Sequence, residues 1–143
     1  HDENILNIAK KAYWDVFSEE IKEKNYTKLY VILDDVKSRL KNLTPNQEKI
    51  QIEIDNELDI DLYKQMIEKD AFDSNDFMKL INFLINKLKS YIAPVHDSEY
   101  NEWVKETYAN IADDYNISLP KFFKKYYDYL EITDKEIKLL NHL

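Results

Sequence analysis

The sequence contains neither glycine nor cysteine. At average usage of about 7%, a chain of this length would carry roughly ten glycines. Backbone devices that depend on glycine are thereby excluded: phosphate-cradling loops, dinucleotide fingerprints and nucleophile elbows. Without cysteine there are no disulfides, thiolate ligands or cysteine nucleophiles, a composition that fits a reducing compartment. Arginine is nearly absent as well, since Arg39 is the only one among twenty basic residues. The formal net charge is −8. A surface of that sign repels DNA and RNA, whose phosphates and bases are best gripped by arginine, so no nucleic acid is expected as a partner. No apolar run approaches the roughly 20 residues that cross a bilayer, and the expectation is a soluble, cytoplasmic protein. The chain opens on His1 without a basic-then-apolar leader, and His1 is given no role. Abundant Lys, Asn, Ile and Tyr fit an AT-rich genome and say nothing of mechanism.

What is present is helical periodicity. Ile5, Ile8, Ala12 and Val16 step along one face of a first helix, roughly residues 4–23. Leu29, Ile32, Leu33, Val36 and Leu40 form the stripe of a second. Thr44-Pro45-Asn46-Gln47 reads as a capping box with proline in the first turn, and it predicts the start of a third helix. IQIEID, residues 50–55, alternates like a strand, but Ile50, Ile54 and Leu58 also fall four apart, and helix is the better reading. Asp59 is expected to cap a short fourth helix through Leu62, Met66 and Ile67, and Asp73 or Ser74 a fifth. That fifth helix carries the cleanest stripe: Phe77, Leu80, Ile81, Leu84, Leu88 and Ile92, broadened by Ile85. Pro94 ends it, and Asp97 is expected to cap a sixth helix with Tyr100, Trp103, Val104, Ile111 and Tyr115. Ser118 and Pro120 predict the start of a seventh helix, and Thr133 to Glu136 a second capping box opening an eighth. The expected fold is all-α, a single compact bundle of seven to eight helices over residues 1–143.

Glu53, Asp55, Glu57, Asp59 and Asp61 invite a calcium reading, which needs glycine at the sixth loop position and glutamate at the twelfth. Counting from Asp55 gives Ile60 and Met66; counting from Asp59 gives Lys64 and Asp70. Both registers fail, and a solvated acidic face is the better account. His1, His96 and His142 show no ligand spacing. His96-Asp97 has no nucleophile at a suggestive position, though a fold could bring Ser98 or Ser118 near. The pairs Asp34-Asp35 and Asp113-Asp114 cannot be judged without spatial separations. No cofactor, metal or catalytic residue is assigned, and the expectation is a protein that is not an enzyme. The aromatic run Phe122, Phe123, Tyr126, Tyr127, Tyr129, Leu130, interleaved with Lys121, Lys124 and Lys125, has two readings. Its rings either pack in the core beneath a lysine rim, or form an exposed docking surface (Phe122, Phe123, Tyr126, Tyr127) for a partner or a membrane.

Four segments together resemble the T-complex protein 11 family. They are YTKLYVILDDVKSRLKNLTPNQ from Tyr26, IDNELDIDLYKQMIEKDAFD ending at Phe72-Asp73, Ala93-Pro94-Val95-His96-Asp97, and LPKFFKKYYDYLEITDKEI. Their order and spacing agree from about residue 26 to 140, leaving residues 1–25 as a separate N-terminal helix and only the front portion of the family's domain present. His96 stands where the family usually has arginine, and Asp70 where glycine is common. The resemblance implies an all-helical, non-enzymatic signalling regulator linked to the cyclic-AMP-dependent protein kinase pathway. Phe72, Asp73 and residues 93–97 are then expected to form a structural corner and possible partner contact. A protein partner is the leading expectation, and a membrane surface docked through residues 119–131 the alternative.

Overall fold

The computed structural model describes residues 2–143, with side chains from Lys10 onward except that of Tyr115. Ile5, Ile8 and Tyr115 of the expected stripes therefore lie outside the described side chains. Seven α-helices follow one another among the described residues: α1 (Asp2–Lys22), α2 (Thr27–Leu43), α3 (Glu48–Glu57), α4 (Ile60–Glu68), α5 (Ser74–Lys89), α6 (Asp97–Asp113) and α7 (Tyr115–Asn141). A 3-10 turn over Pro94–His96 joins α5 to α6, and no strand occurs among the described residues. The alternating IQIEID lies wholly within α3, where Ile54 is fully buried and Ile52 is exposed. Period four won over period two.

The long α7 organises the bundle by packing against α1, α2, α5 and α6. Its inner face supplies Leu119, Phe122, Phe123, Tyr126, Tyr129 and Leu130 to one apolar cluster. The α2 stripe and the α5 stripe enter that cluster as expected, Ile92 included although it lies past the end of α5. Trp103 is the centre of an aromatic knot. Its ring stacks on Phe122 at 5.3 Å and meets Tyr100 and Tyr129 at 5.2 and 5.3 Å. Two buried phenols are satisfied by α5 carbonyls: Tyr100 Oη donates to Ile85 O and Tyr126 Oη to Leu84 O, both at 2.7 Å. Aromatic bulk thus also fastens α6 and α7 to the central helix.

Several expectations at helix ends are corrected. Thr44 does not cap α3; its hydroxyl pairs with Tyr91 Oη at 2.9 Å, and Gln51 Nε2 donates to the Lys41 and Thr44 carbonyls, closing the end of α2. In α1 the inward face is Trp14, Phe17 and Ile21, whereas Ala12 and Val16 are exposed. Leu62 of α4 is likewise exposed rather than core. The expected starts at Ser118 and Thr133 do not exist. Asp114, in extended conformation, accepts from the Asn116 and Ile117 N–H groups, so α7 begins earlier and Pro120 falls one turn inside it. Thr133 is mid-helix and buried, with no hydrogen-bond partner for its hydroxyl among the described residues. Asp59 and Asp73 do cap α4 and α5, the latter in a reciprocal box with Asp76.

The missing glycines leave a mark at two helix ends. Lys24 and Asp70 hold φ of 60° and 55°, the left-handed region that glycine enters without a Cβ clash. Each sits at the residue where a helix closes with paired bonds. Asn25 N–H bonds Glu20 O and Lys24 N–H bonds Ile21 O; Ala71 N–H bonds Met66 O and Asp70 N–H bonds Ile67 O. Lys24→Gly is expected to stabilise the chain by about 1 kcal/mol, and Asp70→Gly by less, because aspartate tolerates this region better. Urea unfolding of the two variants checks this; a loss of stability in both would contradict the strained closures.

Candidate interaction surfaces

The Ala93–Asp97 corner is built by proline. Ala93 is extended, Pro94 opens the 3-10 turn, and His96 N–H bonds Ala93 O at 3.0 Å. Asp97 is the first residue of α6; its N–H closes the 3-10 turn on Pro94 O, and among the described residues its side chain makes no cap hydrogen bond, contrary to expectation. Its carboxylate instead lies 3.7 Å from Lys89 Nζ at the end of α5. His96 Nε2 sits 2.7 Å from Glu136 Oε1 and ties the corner to α7. Glu136, expected in a capping box, therefore serves a tertiary contact. Val95 is 82% exposed at the tip. Phe72 packs between Tyr63 and Phe77 while Asp73 caps α5, so these two hold a different junction from residues 93–97. Ser118 Oγ donates to its own helix at Asp114 O. No group of three or more potential metal ligands converges among the described residues.

The aromatic run of α7 divides. Phe122, Phe123 and Tyr126 are buried in the core and cannot form the exposed docking surface offered as one reading; the membrane alternative loses its apolar face with them. Tyr127 alone points elsewhere, into a groove of about 430 Å³ between α1, α2 and α7. There its ring lies 5.9 Å from Trp14, which in turn meets Tyr13 edge-on at 5.5 Å. Asp35 of α2 accepts from Tyr127 Oη at 2.7 Å and from Arg39 Nε at 3.0 Å, and the Arg39 guanidinium lies 5.2 Å over the Tyr127 ring. Burial, then the Asp35 carboxylate, pushes the Tyr127 phenol well above its usual range, so it stays a donor. Val31, 60% exposed, adds an apolar lip. An Arg–Asp–Tyr clasp beside a tryptophan thus positions a partly buried aromatic floor, with Tyr13 at its exposed edge.

Sequence reasoning reached Tyr127 but missed its companions. Asp35 and Arg39 are four apart on a helix, a spacing that pairs them, and Arg39 was already singular as the only arginine. Trp14 was passed over because the α1 stripe was drawn through Ala12 and Val16.

α4 contains no fully buried residue: Leu62 is exposed, while Ile60, Tyr63, Met66 and Ile67 are partly buried.

No solved structure matches this chain. The family model described as T-complex protein 11 matches residues 4–132. The match takes in α1, which the sequence reading had set apart as residues 1–25, and ends within α7. It spans the corner, the α4–α5 junction and every aromatic of the groove. The chain belongs to the T-complex protein 11 family.

Proposed function

We propose that the chain is a non-enzymatic helical interaction module that binds a partner protein in the groove between α1, α2 and α7. The carrying observation is the Tyr13–Trp14–Tyr127 floor, partly buried with Tyr13 at its exposed edge, clasped by Arg39 and Asp35. Tryptophan, tyrosine and arginine are the residues that dominate binding energy at protein interfaces, and here they are pre-positioned by contacts within the fold. Charges around the groove balance, with Lys10, Arg39 and Lys124 against Asp35, Asp128 and Glu131. Recognition there rests on apolar contact with a side chain of the partner, and salt has little effect on it. The finer reading, implied by the family, is a cytoplasmic regulator in the cyclic-AMP-dependent protein kinase pathway.

Val31→Glu puts a charge on the exposed lip without touching the core. It should weaken partner binding at least tenfold, on the order of 1.4 kcal/mol, with unchanged helicity. Partners retained from native lysate by the parent chain and by Val31→Glu are compared; the same set at the same strength on both overturns the groove. Purified regulatory and catalytic subunits of the cyclic-AMP-dependent kinase, titrated with the chain, test the finer reading, and binding to neither removes it.

A further inference from the structure

Arg39 is the only arginine of the chain, and only part of its guanidinium is engaged. Its Nε–H donates to Asp35 at 3.0 Å, and its Cζ lies 5.2 Å over the Tyr127 ring. Neither Nη group makes a hydrogen bond or ion pair among the described residues. That free edge carries the two parallel N–H donors of a guanidinium, the fork that fits a carboxylate. Arg39 also stands where two hollows meet. It lines the Trp14/Tyr127 groove and a second hollow of about 300 Å³, between the last turns of α2 and the second half of α7. Buried Leu43 and Leu130 floor this second hollow, and Asn42, Asp134 and Lys138 rim it. Charges at this end balance in number, Arg39 and Lys138 against Asp35 and Asp134, so hydrogen bonding and not net charge decides what fits. Asp35 already accepts from Tyr127 and Arg39, and Asp134 from Lys138 at 2.8 Å. The fork of Arg39 and the side-chain amide of Asn42 have no partner among the described residues.

We propose that the partner bound in the Trp14/Tyr127 groove carries an aspartate or glutamate one helical turn from its apolar anchor, and that this carboxylate seats on the free fork of Arg39. The inference rests on the groove reading above and names what the partner presents there. The spacing follows from the 5.2 Å between the Tyr127 ring and Arg39 Cζ, close to the roughly 5–6 Å between Cβ atoms three or four residues apart on a helix. Asp35 and Tyr127 already fix the guanidinium, so little order is lost when the carboxylate arrives. Asn42, three residues on from Arg39 in α2, offers a further donor. A lysine of the partner has no such place, since both carboxylates here hold a donor and both cations repel it. A phosphate would fit the same fork but asks for more positive charge than remains, because Lys138 is held by Asp134. The Arg39 side chain is about half exposed, so one pair on it adds little salt dependence to the groove.

Because Arg39 is single, its Nε–H gives one signal in a nitrogen-15 spectrum, and the tryptophans give two indole signals, Trp14 at the groove and Trp103 in the core. The probe is a synthetic alanine-based helical peptide with one leucine and a glutamate four residues on. Its copies carry glutamine or phosphoserine instead, or hold the glutamate two residues from the leucine, on another side of the helix. The glutamate peptide should shift Trp14 and Arg39 together and leave Trp103 in place. The glutamine and displaced-glutamate copies should shift Trp14 alone and bind about fivefold more weakly, the scale of one partly exposed charge-assisted pair. Asn42→Asp puts an internal carboxylate one turn from Arg39 and touches no groove side chain. It should erase the preference for glutamate and keep the affinity for the glutamine copy. Arg39→Lys should erase the preference too, since an ammonium keeps the charge but not the fork. Val31→Glu, which tests the groove itself, should weaken both copies alike. Equal affinity of the glutamate and glutamine copies, with Trp14 shifted by both, overturns this proposal and leaves the groove standing. A preference that survives Asn42→Asp and Arg39→Lys overturns it as well, as does equal binding of the displaced glutamate. A phosphoserine copy bound much more tightly than the glutamate peptide would assign the fork to a phosphate and overturn the acidic side chain. No shift at Trp14 or Arg39 with any copy overturns this inference, and the lysate comparison with Val31→Glu then decides the groove by itself.

Discussion

Raising the pH from 10 toward 12 is expected to unfold this protein cooperatively, with tyrosinate formation and loss of helix following one curve. Tyr100, Tyr126 and Tyr129 are at most 1% exposed. Burial is the largest cause of the raised pKa in each, and Tyr129 is pushed up to about 12. The sign follows from which form the fold tolerates. These phenols are neutral in the native state, and their stabilisation is complete below the unfolded pKa of about 10. Above it the unfolded chain releases protons that the native chain retains, so stability falls with rising pH until the native groups ionise.

The magnitude decides the outcome. Each such group contributes about 1.4 kcal/mol per pH unit, so three contribute roughly 4, against a total stability of about 5–15 kcal/mol for a domain. Tyr63 and Tyr127, only partly buried, add less because solvent screens them. Many of the lysine ion pairs lie near the surface and are worth under about 1 kcal/mol each, so losing them would not produce a transition of this size. Circular dichroism and tyrosinate absorbance recorded through one alkaline titration check the expectation. Tyrosines that ionise near pH 10 while the helix content stays intact would show that the aromatic knot admits water.

The helices were legible because burial stripes are a local property of sequence, and those of α2 and α5 could be drawn residue by residue. Helix ends were less so, because side chains found better partners at a distance. Thr44 prefers Tyr91, Glu136 prefers His96, and the cap at Asp114 starts α7 before the serine and proline that promised to. For the same reason α1 was assigned the wrong face: small residues at Ala12 and Val16 completed a stripe, but the ring contact to Tyr127 turns Trp14 inward. The groove was hidden because its members come from three helices. The Asp35–Arg39 and Tyr13–Trp14 pairs are local, and nothing in the sequence tells that Tyr127 will join them.

Trp103→Ala is expected to cost about 3–5 kcal/mol, the usual range for removing a large aromatic from a packed interior. Trp103 is 9% exposed and touches four rings: Tyr100 and Tyr129 edge-on or tilted, Phe122 stacked at an interplanar angle of 14°, and Tyr126 at 6.4 Å. Those rings are anchored to α5 through the Tyr100 and Tyr126 hydroxyls, so they cannot all collapse into the vacated space, and a cavity remains. Trp103→Phe keeps one ring and should cost about half as much. Trp14→Ala, at the open groove, is expected to cost less than either, since part of that indole already faces water. Denaturant unfolding of the three variants orders them, and because the chain has only two tryptophans, each variant leaves a single reporter of known place. A loss below about 1 kcal/mol for Trp103→Ala would mean that α6 is not fastened to α7 through these rings. The consequence would reach the groove, because α7 holds Tyr127 opposite Trp14 only as long as its other face is locked to α5 and α6.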